Sequence, residues 1–227
     1  MTRTWLKMLF LTLTLLLLAG STPAQATRPH DFARWESAIS GYEKADEAAR
    51  PAPGGIVFIG SSTILRWKTL AEDFSGYPVL NRGFGGSQIV DATHFADRIV
   101  IPYRPRQVFL RSGGNDLHAG KSPAEVFADF KAFVAKIHSR LPQTEIVFIG
   151  LCPTIARWKE SAANRELNQL VIDYTKQARR VKYIETYGMS LDQHGVPRSD
   201  VFVNDMLHFN AEGYRLLIDL VRPHLRR

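Results

Sequence analysis

The chain has 227 residues, 45% apolar and 22% charged, with a formal net charge of +7 and one cysteine, Cys152. That apolar fraction excludes a disordered polymer, and a lone cysteine excludes both an intramolecular disulfide and a cysteine-based zinc module. The basic residues are scattered, with short clusters only at 179–182 and 222–227, so the charge reads as a solvated surface and not as a nucleic-acid-binding stripe. The first 26 residues have the form of a secretory signal. Arg3 and Lys7 precede an apolar run over 9–19, and Ala24-Gln25-Ala26 offers small residues at the −3 and −1 positions. The run falls well short of the roughly 20 residues a spanning helix needs. Cleavage after Ala26, a periplasmic or secreted location, and no stable membrane span thereafter are therefore expected. Residues 27–227 carry no linker or composition shift and read as one domain.

Phe32, Trp35, Ile39 and Tyr42 recur at steps of three or four and predict an amphipathic helix, closed by Pro51-Ala52-Pro53-Gly54-Gly55. Ile56-Val57-Phe58-Ile59-Gly60 follows, a continuous apolar run suited to a strand buried on both faces. The same pentapeptide returns at 146–150 with unrelated flanks, which points to two central strands with identical packing demands. Further strands are expected over 78–81, 107–111 and 181–185. Ile89, Thr93, Ala96, Ile99 and Val100 predict one intervening helix, and Val126, Phe130, Phe133, Val134 and Ile137 a second. Ser122, Pro123 and Glu125 open that second helix as N-cap, first residue and capping-box acid. Leu167, Leu170, Val171 and Tyr174 mark a third, and Tyr214, Leu217, Ile218 and Val221 the last. Strands alternating with helices imply βαβ units and a mostly parallel five-stranded sheet between two helical layers.

In an open α/β sheet, functional residues gather beyond the carboxyl ends of the strands. Those ends carry Gly60-Ser61-Ser62, then Arg82-Gly83-Phe84-Gly85-Gly86, then Gly113-Gly114-Asn115-Asp116, with Asp205-Met206-Leu207-His208 before the last helix. Singly, each has an ordinary reading. Gly-Ser-Ser is commonly a helix N-cap, Asn-Asp a turn, and the Asp205–His208 pair a surface contact or a partial metal site. The glycine stretch misses the dinucleotide-binding spacing, because Gln88 stands where the last glycine belongs. Together they supply a hydroxyl, an imidazole to take its proton, a carboxylate to orient the imidazole, and N–H donors for an oxyanion. Two Arg-Trp pairs, Arg66-Trp67 and Arg157-Trp158, are candidate substrate contacts through indole stacking and anion binding, against a reading of both tryptophans as packing residues. Arg111 and His118 are possible wall residues. Cys152, with no charged neighbour in sequence, reads as a small buried apolar residue.

On these blocks the sequence resembles the SGNH/GDSL hydrolase superfamily over residues 54–223. The resemblance implies a three-layer, flavodoxin-like α/β/α sandwich and an esterase, lipase or carbohydrate deacetylase activity. It implies Ser62 as nucleophile, and Ser62, Gly86 and Asn115 as the oxyanion hole. Asp205 and His208 complete the implied triad. The first block departs from the pattern: Ser61 stands where the family has Asp, and Thr63-Ile64 where it has Leu. The leading expectation is an exported serine esterase of short-acyl esters that needs neither metal nor organic cofactor. Trp67, Arg157 and Trp158 contact the substrate in this reading, a polysaccharide, lipid or small-molecule ester. A non-catalytic carbohydrate- or lipid-binding module on the same fold is the alternative.

Overall fold

The computed structural model describes residues 30–227; the expected signal segment and the expected cleavage after Ala26 lie outside the described residues. Helix α1 (Glu36–Ala48) precedes strand β1 (Ile56–Gly60), which leads through short helices α2 (Ser62–Leu65) and α3 (Leu70–Asp73) to β2 (Val79–Gly83). Next come α4 (Ile89–His94), α5 (Ala96–Ile99) and β3 (Gln107–Arg111), then α6 (Gly114–His118), α7 (Pro123–Arg140) and β4 (Glu145–Ile149). Helix α8 (Ser161–Thr175), β5 (Val181–Ile184) and α9 (Ala211–Val221) complete the order. All five strands are parallel, in the order β2-β1-β3-β4-β5, so the sheet is wholly and not just mostly parallel.

The strands alternate their apolar side chains between two helical layers. Val57, Ile59, Val108, Leu110, Ile146 and Phe148 pack with residues of α1, α4, α5, α7 and α8. Ile56, Phe58, Phe109, Val147 and Ile149 pack with α2, α3 and α9. Burial on both faces is why the strands read as unbroken apolar runs. The repeated pentapeptide behaves differently from the expectation of identical packing. Its two copies flank β3, but Val108 pairs with Val57 on one side and with Ile146 on the other. That one-residue offset inverts every side chain. Phe58 therefore stacks on Phe109 at 4.6 Å between ring centroids, whereas Phe148 meets Phe130 of α7 at 5.0 Å in the opposite layer.

Helix α7 begins as its sequence predicts: the Glu125 N–H donates to Ser122 Oγ at 3.3 Å and the Ser122 N–H to Glu125 Oε2 at 2.8 Å. Two boundaries differ. The helix expected over 89–100 breaks at Phe95, whose ring is buried against Phe84 and Phe32, with the turn held by Phe95 N–H to Asp91 O and Ile99 N–H to Phe95 O. Strand β2 extends through Arg82 and Gly83, because the buried Arg82 finds Asp46 of α1 and the Tyr103 hydroxyl. Glycine is required at two points beside β1. A Cβ on Gly60 (φ +150°) would lie 2.1 Å from Arg111 O, and one on Gly83 would lie 2.2 Å from the Leu65 amide. Those close approaches let the turn after β1 sit down on its neighbours. Among the described residues no helix is long and apolar enough to cross a membrane.

Candidate active site

The strand order reverses between β1 and β3, and the crevice outside such a switch point is where open α/β sheets bind ligands. Ser62 leaves β1 as the first residue of α2, and Asn115 leaves β3 in α6. The loop before α9 then reaches across to bring His208 over the same point. Three contacts fix that loop: Val203 N–H to His208 O (2.8 Å), Ala156 N–H to Met206 O (3.0 Å), and the Asn210 cap on Gly213 N–H (3.1 Å). The Tyr214 hydroxyl donates to Thr63 O at 2.8 Å, tying α9 to the turn that carries Ser62. This last tie had no signal in the sequence.

Ser62 Oγ lies 2.9 Å from His208 Nε2, and His208 Nδ1 lies 2.7 Å from Asp205 Oδ2. Because the carboxylate only accepts, Nδ1 carries the ring proton and Nε2 offers its lone pair to the serine hydroxyl. Asp205 Oδ1 also accepts from the N–H groups of His208 and Leu207, each at 2.9 Å. The backbone N–H of His208 above all, then the His208 ring and the Leu207 N–H, hold the Asp205 carboxyl well below the usual carboxylate range. Arg66 Nη1 stands 4.0 Å from Asp205, both side chains being half exposed.

Ser62, Gly86, Asn115, His208 and Arg157 line one cleft of about 440 Å³. Within the described residues the N–H groups of Ser62 and Gly86 make no hydrogen bond, and both residues line the cleft. Asn115 is locked from two sides. Its Nδ2 donates to Ser87 O at 2.9 Å, and its Oδ1 accepts from Arg157 Nη1 at 3.1 Å. An arginine can only donate and a carbonyl can only accept, so these partners fix which end of the amide is nitrogen. One Nδ2 hydrogen remains for a ligand. Next to it, Asp116 is fully buried and its carboxyl is pushed up to about 6 by desolvation. Its Oδ1 accepts the Ile89 N–H at 3.2 Å and so joins α6 to the start of α4.

The candidate substrate contacts separate. Arg157 faces the cleft, and its Nη1 also reaches Gly114 O at 3.2 Å. Trp158 is 43% exposed on the same turn but does not line the cleft. Trp67 is corrected: it is 1% exposed, packed edge-on to Phe58 and Phe74, with Nε1 bonded to Asp73 Oδ2 at 2.7 Å. An indole enclosed on that scale has no face for a sugar. His118 is exposed and bonds Glu160 at 2.8 Å. Cys152 is buried as expected, yet it does have a charged partner, since Arg111 Nη2 lies 3.3 Å from its sulfur. Arg34, which sequence reasoning missed, also lines the cleft, stacked at 4.4 Å on Trp35. Its only signal was its place beside a residue of the apolar periodicity.

A family model of the GDSL-like lipases/acylhydrolases matches residues 60–216. No curated protein matches the chain. Among solved structures, a Streptococcus pneumoniae protein named for platelet activating factor superposes with a TM-score of 0.75 at 20% identity, over 86% of this chain and 94% of that one. A GDSL-like lipase from Bacteroides thetaiotaomicron gives 0.69 at 16% identity, over 86% and 98%. An acetyl-xylooligosaccharide esterase from Geobacillus gives 0.60 at 13% identity, over 78% and 97%. At these identities the likeness is one of fold.

Proposed function

The chain belongs to the GDSL-like lipase/acylhydrolase family, whose members hydrolyse esters, and on that premise we propose that it is a serine esterase of short-acyl esters working through Ser62, His208 and Asp205. The observation that carries this is the unbroken relay from Ser62 Oγ through His208 to Asp205, at 2.9 and 2.7 Å. His208 Nε2 takes the serine proton as Oγ attacks the ester carbonyl. The Ser62 and Gly86 N–H groups and the Asn115 amide receive the negative oxygen, and Asp205 stabilises the imidazolium as it forms. His208 then protonates the departing alcohol. Water, activated by the same imidazole, releases the acid from Ser62. For the Geobacillus acetylxylan esterase, catalytic mutants at one serine and one histidine are known, which supports a serine–histidine pair here.

Short acyl groups fit best, because no long apolar insertion between the blocks could fold over an alkyl chain. Trp158, exposed beside Arg157 but outside the cleft lining, is the ring available to a sugar part that extends beyond the cleft. The active form in this reading is residues 27–227, exported after loss of the signal segment. A fluorophosphonate probe labels the protein at Ser62, and activity falls along a series of p-nitrophenyl esters from acetyl to octanoyl. A folded protein that neither labels nor hydrolyses any member is a binding module instead.

Arg157 acts on the reaction through Asn115. Arg157→Ala is expected to lower kcat for p-nitrophenyl acetate about tenfold with KM little changed, since a loosened oxyanion donor loses part of what its removal would cost. In an Asn115→Ala background the same change should add almost nothing. A rise in KM alone would make Arg157 a substrate contact and not a brace.

A further inference from the structure

Two arginines are buried among the described residues, Arg82 at 4% and Arg111 at 6% exposure. Arg82 shows what such a side chain needs: Asp46 neutralises it, Tyr103 accepts its Nε–H at 3.0 Å, and two tyrosine rings flank it. Arg111 has no carboxylate within 4 Å. Its guanidinium meets the Gly150 carbonyl, the Cys152 sulfur at 3.3 Å and the face of Phe209 at 5.5 Å. A guanidinium does not discharge by losing its proton, and a buried charge without a counter-charge is costly. The protein nevertheless keeps this cation in the wall of the cleft that holds Ser62 and His208.

Sheet geometry explains why it points there. Arg111 alternates with Leu110, so it shares the face of Phe109 and emerges in the layer of Cys152 and Phe209, the residue after His208. It pairs in register with Gly60, and its carbonyl accepts the Ser61 N–H at 3.2 Å. The cation is thus one strand away from the nucleophile turn. In the same cleft lining, Arg34 is exposed, has no carboxylate within 4 Å, and places Nη2 3.4 Å from where a Cβ on Gly86 would be. The cleft's one lining carboxylate, Glu160, is engaged by His118.

We propose that the substrate is an ester bearing a carboxylate close to its scissile carbonyl, and that Arg111, with Arg34 at the rim, receives that carboxylate. The proposal rests on the esterase reading above and narrows it. The missing counter-charge arrives with the substrate: two of the five guanidinium N–H donors are spent on Gly150 and Cys152, and the rest form the planar array that carboxylates fit. Neutral esters of the same size forgo that contact.

The test compares two matched pairs, each corrected for its intrinsic hydroxide-catalysed rate. One is mono-4-nitrophenyl succinate against 4-nitrophenyl butyrate, with the charge on the acyl side. The other is 4-acetoxybenzoate against phenyl acetate, with the charge on the alcohol side. In at least one pair the anionic member should be favoured by about tenfold or more in kcat/KM, the scale of one charge-assisted contact. Arg111→Met should bring that ratio close to one, and Arg34→Gln should lower it severalfold. Hydrolysis of the neutral esters with no preference for either anionic partner overturns the proposal and leaves the esterase reading standing. Failure of the folded protein on all four overturns both. If Arg111→Met does not fold, the parent ratios and the Arg34→Gln ratio still decide.

Discussion

Replacing Ser62 by alanine is expected to cut kcat/KM for p-nitrophenyl acetate by about 10⁴-fold or more, while Ser61→Ala stays within about threefold of the parent. The adjacent hydroxyls are chemically alike, so the difference lies in position. Ser62 Oγ is the atom facing His208 Nε2, at 2.9 Å. Ser61 works through its backbone: its carbonyl accepts from the amides of Ile64 and Leu65, and its N–H reaches Arg111 O. Its side chain makes no bond that the turn depends on. Removing the Ser62 hydroxyl deletes one hydrogen bond at the cleft surface, so thermal unfolding should shift by no more than about 4 °C. The activity loss is then chemical and not structural. Activity kept by Ser62→Ala and lost by Ser61→Ala would move the nucleophile one residue and put the His208 contact outside the reaction.

The central strands β1, β3 and β4 were legible because their runs are apolar and buried on both faces, a local signal, and the runs at 56–60 and 146–150 also end in glycine. What escaped was set by partners far away in sequence. Arg82 looked like a loop residue, since nothing nearby announces that Asp46 and Tyr103 will enclose it. The inverted faces of the two identical pentapeptides depend on register with β3, which no window along the chain contains. The two Arg-Trp pairs make the same point. Trp67 lies between two helices that fold it onto Phe58 and Phe74, whereas Trp158 sits on a surface turn, so one dipeptide yields a core indole and an exposed one. The site was easier to read. Three of its blocks lie at strand ends, which a parallel sheet brings together, while the Asp205–His208 block lies in the loop before α9. The brace from Arg157 to Asn115 and the bare cation at Arg111 were beyond reach, because each is defined by a contact more than 40 residues away in sequence.

The Asp205→Asn variant tests the part of the relay most open to solvent. An asparagine can keep the two backbone N–H bonds of Leu207 and His208 on its carbonyl oxygen, so the turn should persist. Its amide then faces His208 Nδ1 with hydrogens where the carboxylate had lone pairs. The ring responds by carrying its proton on Nε2, and Nε2 can no longer accept from Ser62. For a buried aspartate in such a triad the loss is about 10⁴-fold. The Asp205 side chain is 43% exposed, with Arg66 at 4.0 Å, and solvent screens much of what the carboxylate gives the imidazolium. A loss of about 10²- to 10³-fold in kcat at pH 7, with KM little changed, is therefore expected. The pH profile of the parent carries the same logic. Asp205 is held well below the ordinary carboxylate range by its hydrogen bonds, so it stays ionised as pH falls from 8 to about 4, the region where an unperturbed aspartate would begin to protonate. One proton on the imidazole is then enough to stop the reaction, and log kcat/KM should fall with a slope of one over that acid limb. A slope of two above pH 4 that persists in an Asp116→Asn variant, which removes the buried carboxyl pushed up to about 6, would mean that Asp205 titrates together with the base, and the backbone N–H groups of Leu207 and His208 would not be holding its charge.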